Sequence, residues 1–466
     1  MSPSRPPIEP VIVGAGPAGI RAAQTLVQAG LRPVVLDESL RAGGQIYRQP
    51  PAGFTRSKQA LYGTEHKKAD ALHRTMDALA ARVDYRAGAL VWNADQAHLE
   101  VIQNGAMTSV PYTHLILATG ATDRVLPFQG WTTPGVYTLG GSQVALKYQG
   151  CGIGSRVVFM GTGPLLYLVA YQYKKAGADV AAVLDTSTHA DGVAGLAGML
   201  RAPSLLAKGL YYMGWLRARG VPLHKNVRPV SVQGGAQVSA LTYRFRGQDT
   251  VHSIACDALG YGLGLRSETQ LASLLGCVFD FNSQDRAWLP RRDAAGRTSV
   301  SGIYVAGDGA GIAGADAAEL AGERAALALL ADAQLPSDAR RAALLDDRLL
   351  ANARVRTALE RAFPFPADWA ADLDDAVLLC RCEEITAGTV RQAAHDLGAH
   401  EMNRLKALTR VGMGRCQGRM CAAGATEVLA HALHQRCDAV GRIRSQPPVK
   451  PIPISVVRAD QHEVPL

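Results

Sequence analysis

Three apolar residues, Val11–Val13, run directly into Gly14-Ala15-Gly16-Pro17-Ala18-Gly19, and an alanine-rich stretch follows. A strand, a glycine turn and a helix in that order make the unit in which a dinucleotide pyrophosphate rests on a helix N-terminus. Gly14 allows the tight turn, Gly16 lets backbone approach phosphate, and Gly19 lets the helix pack on the strand. The first helix is expected from Ile20 to Ala29, with Gly30 closing it. A second strand ends in Asp37-Glu38. Glu38 lies 24 residues after Gly14, the spacing of the acid that accepts hydrogen bonds from an adenosine ribose.

A chain of 466 residues, 48% hydrophobic and with 48 glycines, can hold two or three α/β domains. The stretch from Met1 to Pro10 has no apolar core of a secretory signal, and no apolar run approaches a membrane span. A cytoplasmic protein is expected, with peripheral attachment to the inner membrane left open. The net charge of +9 is that of a solvated surface or of one drawn to an acidic partner or anionic membrane. No long Lys/Arg run or aromatic stacking platform points to nucleic acid.

Further along, Gly43-Gly44-Gln45 brings the chain close to a bound cofactor. No cysteine precedes Cys151, which argues against hydride exchange with a disulfide. Residues 55–82 read as polar helix. Val83–Tyr85, Leu90–Trp92 and Leu99–Ile102 read as a small antiparallel sheet. Leu115–Ala118 is a buried strand that turns at Thr119-Gly120. A second nucleotide-type unit comes next: a strand ending in Met160, the turn Gly161-x-Gly163-Pro164, and a strand ending in Asp185, again 24 residues past its first glycine. Leu166 replaces the third glycine, which sets the helix further from the strand. This site holds either a nucleotide or nothing, and the lack of an arginine after Asp185 disfavours NADP. Gly302–Val305 is a strand delivering Gly307-Asp308 to a turn before a helix from Asp316 to Leu330. Asp308 either holds flavin ribityl hydroxyls or caps that helix, whose N-terminus favours an anionic reduced flavin.

Cys380-Arg381-Cys382 and, 33 intervening residues later, Cys416…Cys421 form the second chemical signal. Four cysteines without nearby histidines fit tetrahedral zinc or an iron–sulfur cluster. Cys-x-Cys is tighter than the usual zinc ribbon, and a [2Fe–2S] cluster suits a flavoprotein because it accepts single electrons. Arg381, Arg410, Arg415 and Arg419 would offset an anionic cluster. Cys151, Cys256, Cys277 and Cys437 stand alone and read as buried small hydrophobes. The twelve histidines are scattered, and no acid–base or nucleophile constellation is evident.

In order, VIVGAGPAG, Glu38, GGQIYR, LILATGA, GTGPLL and GIYVAGDG resemble the flavoproteins with two dinucleotide-binding domains, and VLLCRCEEIT…VGMGRCQGRMC is similar to the BFD-like [2Fe–2S] domain. The combination resembles the α (A) subunit of opine oxidases, D-hydroxyproline dehydrogenase and hydrogen cyanide synthase. The resemblance implies an α/β fold, a glutathione-reductase-like double Rossmann arrangement plus a small helical [2Fe–2S] domain. Its expected parts are an FAD-binding domain at 1–145 and 286–335, an NAD-like nucleotide-binding domain at 146–285, a helical linker at 336–373, the cluster domain at 374–437 and a tail at 438–466.

The resemblance implies FAD on Gly14, Gly16, Pro17, Ala18, Gly19, Glu38, Gly44, Gln45, Thr119, Gly120, Gly307 and Asp308. It implies a second nucleotide on Gly161, Gly163 and Pro164, and a cluster on Cys380, Cys382, Cys416 and Cys421. A related L-proline dehydrogenase arrangement implies FMN at a subunit interface and ATP, in place of NAD, in the second site. A D-amino-acid-oxidase-like flavoprotein subunit would carry the substrate site, and a small third subunit is a further expected partner. Electrons would pass to a respiratory or dye acceptor. A self-contained NADH-dependent reductase, and a structural partner with a decayed nucleotide site, remain the alternatives.

Overall fold

The structure is a computed structural model that describes residues 8–51, 53–54 and 56–459. Met1–Pro7, at the start of the stretch read for a signal, and the last seven residues of the expected tail lie outside the described residues.

Each nucleotide-type motif builds its own five-stranded parallel sheet. In the first, Pro10–Val13 is central, with His114–Leu117 and then Ile303–Val305 on one side, and Val34–Asp37 and then Asp84–Ala87 on the other. In the second, Arg156–Thr162 is central, flanked by Ala258–Leu263 and Val136–Thr138, and by Asp179–Asp185 and Leu223–His224. Strands covered on both faces are apolar throughout, and both central strands are buried. The run Val83–Tyr85 does not join an antiparallel sheet as expected. Asp84–Ala87 is the outer strand of the first parallel sheet, and only residues 90–111 form the antiparallel one.

Two compact units result. One runs to Ala121 and includes Ser267–Asn352 and the chain from Arg444; the other is Thr122–Arg266 with Ala353–Ile443. Thus 122–145 falls with the second sheet rather than the first, because Val136–Thr138 pairs with Ala258–Leu263. Residues 267–285 fall with the first, because Leu271, Ala272, Leu275 and Cys277 pack with Val11, Leu115 and Ile303.

Small residues set how closely helices sit on the first sheet. Helix Pro17–Gln28 packs along helix Ala315–Asp332, and a Cβ on Gly322 would stand 2.0 Å from the Ala18 carbonyl oxygen. Arg21 donates to Glu319 at 2.7 Å across the same pair.

The expected linker at 336–373 is not a free arm. It contains the helix Ala339–Ala362, and the residues after that helix are fastened within the second unit. Arg228 pairs with Asp368 and Asp372, Arg246 pairs with Asp368 at 3.0 Å, and the Trp369 indole N–H donates to the Pro127 carbonyl at 3.0 Å. The cysteine-bearing segment thereby lies in the same unit as the second sheet. Its strand Leu378–Cys380 precedes the helices Ala387–Asp396, Met402–Thr409 and Ala422–Ala432.

Candidate functional site

The turn after Pro10–Val13 is built to expose backbone. Gly14 has φ +106°, and a Cβ on Gly19 would stand 1.8 Å from the Gly14 carbonyl oxygen. Gly16 occupies the N-cap of the Pro17 helix with no side-chain cap, so the first N–H groups point outward unclaimed by a capping side chain. The Gly43–Gln45 loop folds over this turn: the Gly43 N–H donates to the Ala15 carbonyl at 2.8 Å, and Gly44 faces Gly16, where a Cβ would meet its Cα at 2.9 Å. Gln45 is exposed and accepts from Arg48 at 2.9 Å.

Asp37 is a functional residue that the motif spacing does not single out. Its buried carboxylate accepts from the Ala15 N–H, deep in the glycine turn, at 2.5 Å and from the Ser39 N–H at 2.7 Å. Burial pushes its pKa up, against the opposing effect of those two N–H donors. Glu38, one residue on, is exposed and pairs with Lys450. The available signal was the adjacent acid pair, of which one member must face the turn and the other away.

Thr119 and Gly120 follow strand His114–Leu117. The Thr119 hydroxyl donates to the Glu268 carbonyl at 2.6 Å, and the Glu268 N–H returns to the Gly120 carbonyl at 2.9 Å. Gly307 begins the turn after strand Ile303–Val305 and lies against Ala18. Asp308 Oδ1 accepts from the Ala313 and Gly314 N–H groups, both at 2.9 Å. One carboxylate oxygen therefore ties down the turn that opens helix Ala315–Asp332, whose N-cap, Gly314, has no side-chain cap. Close packing at Gly19, Gly307 and Gly322 thus sets two uncapped helix N-termini side by side at the carboxyl ends of parallel strands, where a nucleotide binds in such sheets.

The second motif does not copy the first. At the second glycine φ changes from −81° at Gly16 to +96° at Gly163. Leu166 fills the core where Gly19 admits the neighbouring backbone. Pro164 again opens the helix. The equal 24-residue spacing is also misleading. Gly161 pairs with Asp185, whereas Val13 pairs with Leu36, so Asp185 stands where Asp37 stands and Thr186 where Glu38 does. A register shift between Val157 and Val158 absorbs the extra residue. Asp185 is fully buried, accepts from the Tyr167 hydroxyl at 2.6 Å and the Ser187 N–H at 2.9 Å, and has Lys225 at 3.8 Å. Burial raises its pKa. The buried hydroxyls of Thr162 and Thr186 have no hydrogen-bond partner among the described residues.

The four cysteines converge. Cys380 and Cys416 both lie against Cys421, and Cys416 also lies against Cys382. The Cys421 thiol donates to its two neighbours, which holds Cys380 down at about 6 and Cys416 at about 5, while Cys421 itself is pushed well up. Backbone N–H groups converge on the sulfurs: those of Gly412, Glu383 and Cys382 on Cys380, and those of Met420 and Gly418 on Cys416. Soft sulfur donors in a shell of N–H groups fit an anionic iron–sulfur core. Among the described residues no three or more His, Cys, Asp or Glu side chains close on a single metal ion; the thiols form a chain of neighbours. Two of the four arginines expected to face the cluster are engaged elsewhere: Arg410 pairs with Glu383 at 2.7 Å, and Arg381 lies over the Trp131 ring. The Trp131 indole N–H donates to the Leu378 carbonyl at 2.7 Å, fixing the strand that carries Cys380. Of the remaining cysteines, Cys256, Cys277 and Cys437 are buried as expected; Cys151 is exposed.

Comparison with known proteins accords with this layout. Residues 9–325 match the pyridine nucleotide-disulphide oxidoreductase family and 378–431 the BFD-like [2Fe-2S] binding domain. The chain belongs to that oxidoreductase family and is a flavin-dependent oxidoreductase carrying an iron–sulfur domain. Within it the chain falls with particular relatives. It is 37% identical to the α (A) subunit of opine oxidase from Agrobacterium tumefaciens (strain Ach5), over 95% of this chain and 90% of that protein. It is 34% identical to hydrogen cyanide synthase subunit HcnB of Pseudomonas aeruginosa, over 96% and 98%. Among solved structures, L-proline dehydrogenase from P. horikoshii shares the fold with a TM-score of 0.69 at 18% identity, covering 97% of this chain and 79% of that one. No helix among the described residues is long and apolar enough to cross a membrane.

Proposed function

We propose that this chain is the electron-transfer subunit of a hetero-oligomeric dehydrogenase that oxidises a C–N bond of an opine, D-hydroxyproline or a related amino acid. The observation that carries the reading is the presence, in one chain, of two uncapped helix N-termini at the sheet end and a separate nest of four thiols. Relatives that match along nearly their whole length are named as components of larger enzymes. The substrate site then belongs to a D-amino-acid-oxidase-like flavoprotein partner, a small third subunit completes the assembly, and electrons leave to a respiratory or dye acceptor.

In this reading Gly14, Gly16, Pro17, Ala18 and Gly19 present N–H groups to the FAD pyrophosphate, and Glu38 takes the ribose. Gly44 and Gln45 cover that half, Thr119 and Gly120 shape the wall, and Gly307 with Asp308 holds the ribityl side. Cys380, Cys382, Cys416 and Cys421 ligate the [2Fe–2S] cluster, with FMN at the interface with the partner. Bound FAD supplies two-electron chemistry and the cluster one-electron chemistry. Gly161, Gly163 and Pro164 hold ATP rather than NAD. A neutral Thr186 stands where a ribose-binding acid would, and Asp185 is spent on Tyr167.

Anaerobic stopped-flow mixing tests this. The purified chain with NADH should leave the flavin spectrum unchanged, and the complex with its co-purifying subunit should reduce dye when given a D-amino acid or opine. Rapid bleaching by NADH alone would overturn the reading in favour of a self-contained reductase.

A further inference from the structure

Between strands Asp179–Asp185 and Leu223–His224 the chain forms two helices, His189–Met199 and Pro203–Arg217. Their inner faces are fixed by contact. A Cβ on Gly195 would meet Ala362 at 2.6 Å and one on Gly198 would meet Ala358 at 2.4 Å; Tyr212 and Leu216 pack in the core of the second unit. Their outer faces should then be charged, as on an ordinary surface helix. They carry instead Val193, Leu196 and Leu200, exposed by 73%, 43% and 61%, and Leu210 and Tyr211, exposed by 56% and 50%. The spacing is that of a helical stripe, and an apolar stripe on the outer face calls for something to cover it.

The rim says what covers it. Tyr171 has Tyr212 and Trp215 each at 4.7 Å between ring centroids, and Tyr211 at 5.9 Å. The Arg219 guanidinium lies 3.6 Å over Trp215 and the Lys175 ammonium 5.8 Å over Tyr171. From 189 to 219 the basic residues are Arg201, Lys208, Arg217 and Arg219, and the one acid is Asp191, which is spent on the Thr188 cap. A protein–protein rim mixes both signs of charge. Apolar tips, amphipathic aromatics and a rim of cations alone are the chemistry of a helix lying in the headgroup region of an anionic bilayer. Helices of 11 and 15 residues lie on such a surface and do not span it.

We propose that the 189–217 helical pair is a membrane-docking surface. Val193, Leu196, Leu200 and Leu210 enter the acyl boundary, Tyr211 sits at the headgroups, and Arg201, Arg217 and Arg219 meet lipid phosphates. The inference goes beyond the dehydrogenase reading and does not depend on which amine is oxidised.

The test is flotation of the purified flavin- and iron-containing complex with vesicles of phosphatidylcholine alone or of equal parts phosphatidylcholine and phosphatidylglycerol. Flotation should occur with the anionic vesicles and weaken as salt rises. Leu196→Glu with Leu200→Glu should lower the partition coefficient at least about tenfold. Arg201→Gln, Arg217→Gln and Arg219→Gln together should lower it about 100-fold at low salt. Flavin absorbance and dye-linked activity in solution should be unchanged in both variants, which separates a docking defect from misfolding or from failure of the dehydrogenase reading. No flotation of the unaltered complex on anionic vesicles, or equal flotation of both variants, overturns the proposal. So does loss of the co-purifying subunit from the leucine variant, which assigns the face to a protein partner.

Discussion

Replacing Gly19 with alanine puts a methyl group 1.8 Å from the Gly14 carbonyl oxygen. Real Cβ contacts essentially never fall below 3.0 Å, so the first turn of the Pro17–Gln28 helix must withdraw from the strand by at least the difference between 3.0 and 1.8 Å. A hydrogen bond of ordinary length from the N–H groups at Gly16–Ala18 to a pyrophosphate oxygen does not survive a displacement of that size. Losing one charge-assisted bond costs about 1.5–3 kcal/mol, which raises the FAD dissociation constant roughly 10- to 150-fold. The assay is flavin content after gel filtration, with titration of the apoprotein by FAD. Cluster content is read alongside, and it should hold because the cysteines lie in the other unit. Full flavin occupancy with an unchanged dissociation constant in Gly19→Ala would refute the argument. Leu166→Gly in the second motif should leave FAD binding unchanged.

Two other outcomes follow from the same geometry. Each of Cys380→Ser, Cys382→Ser, Cys416→Ser and Cys421→Ser should abolish the [2Fe–2S] signal in electron paramagnetic resonance and lower iron and sulfide, with flavin retained; one zinc and no iron in the unaltered protein would contradict the assignment. Asp37 has a folded pKa raised above its usual 3.8 by burial, so the native state binds its proton more tightly than the unfolded chain does. Its contribution to stability therefore falls as pH rises from 3.8 through the raised value. Asp37→Asn should flatten the pH dependence of the melting temperature over that interval. It should also weaken the hold on Ala15 and lower FAD affinity, and an unaltered pH profile would show that Asp37 titrates normally.

Much of this was legible in the residues, because glycine spacing and apolar runs report local backbone demands. The two parallel sheets follow from Val11–Gly19 and Val157–Gly163, and the cluster domain from four cysteines framed by Thr386, Gly412 and Gly418. What escaped was set by distance in space. Asp84–Ala87 looks like its antiparallel neighbours until its partner, Val34–Asp37, is known. The equivalence of Asp185 with Asp37 is hidden by a one-residue register shift. The helices at 189–217 follow no polar–apolar alternation, because both faces are apolar. Trp131 and Trp369 gave only the general signal that a buried indole N–H seeks an acceptor; nothing local names Leu378 or Pro127.

The fastening of residues 363–373 bears on how the molecule can be taken apart. Asp368 and Asp372 on Arg228, and the two indole bonds from Trp131 and Trp369, mean that the BFD-like portion borrows its supports from a stretch more than a hundred residues upstream. Excised at 378–431, the matched boundaries, it would shed all four of those anchors. The cluster module is therefore not portable. Its redox properties belong to the larger unit, and chimeras that exchange it between relatives must carry the 122–131 segment and the acidic 368–372 strap with it.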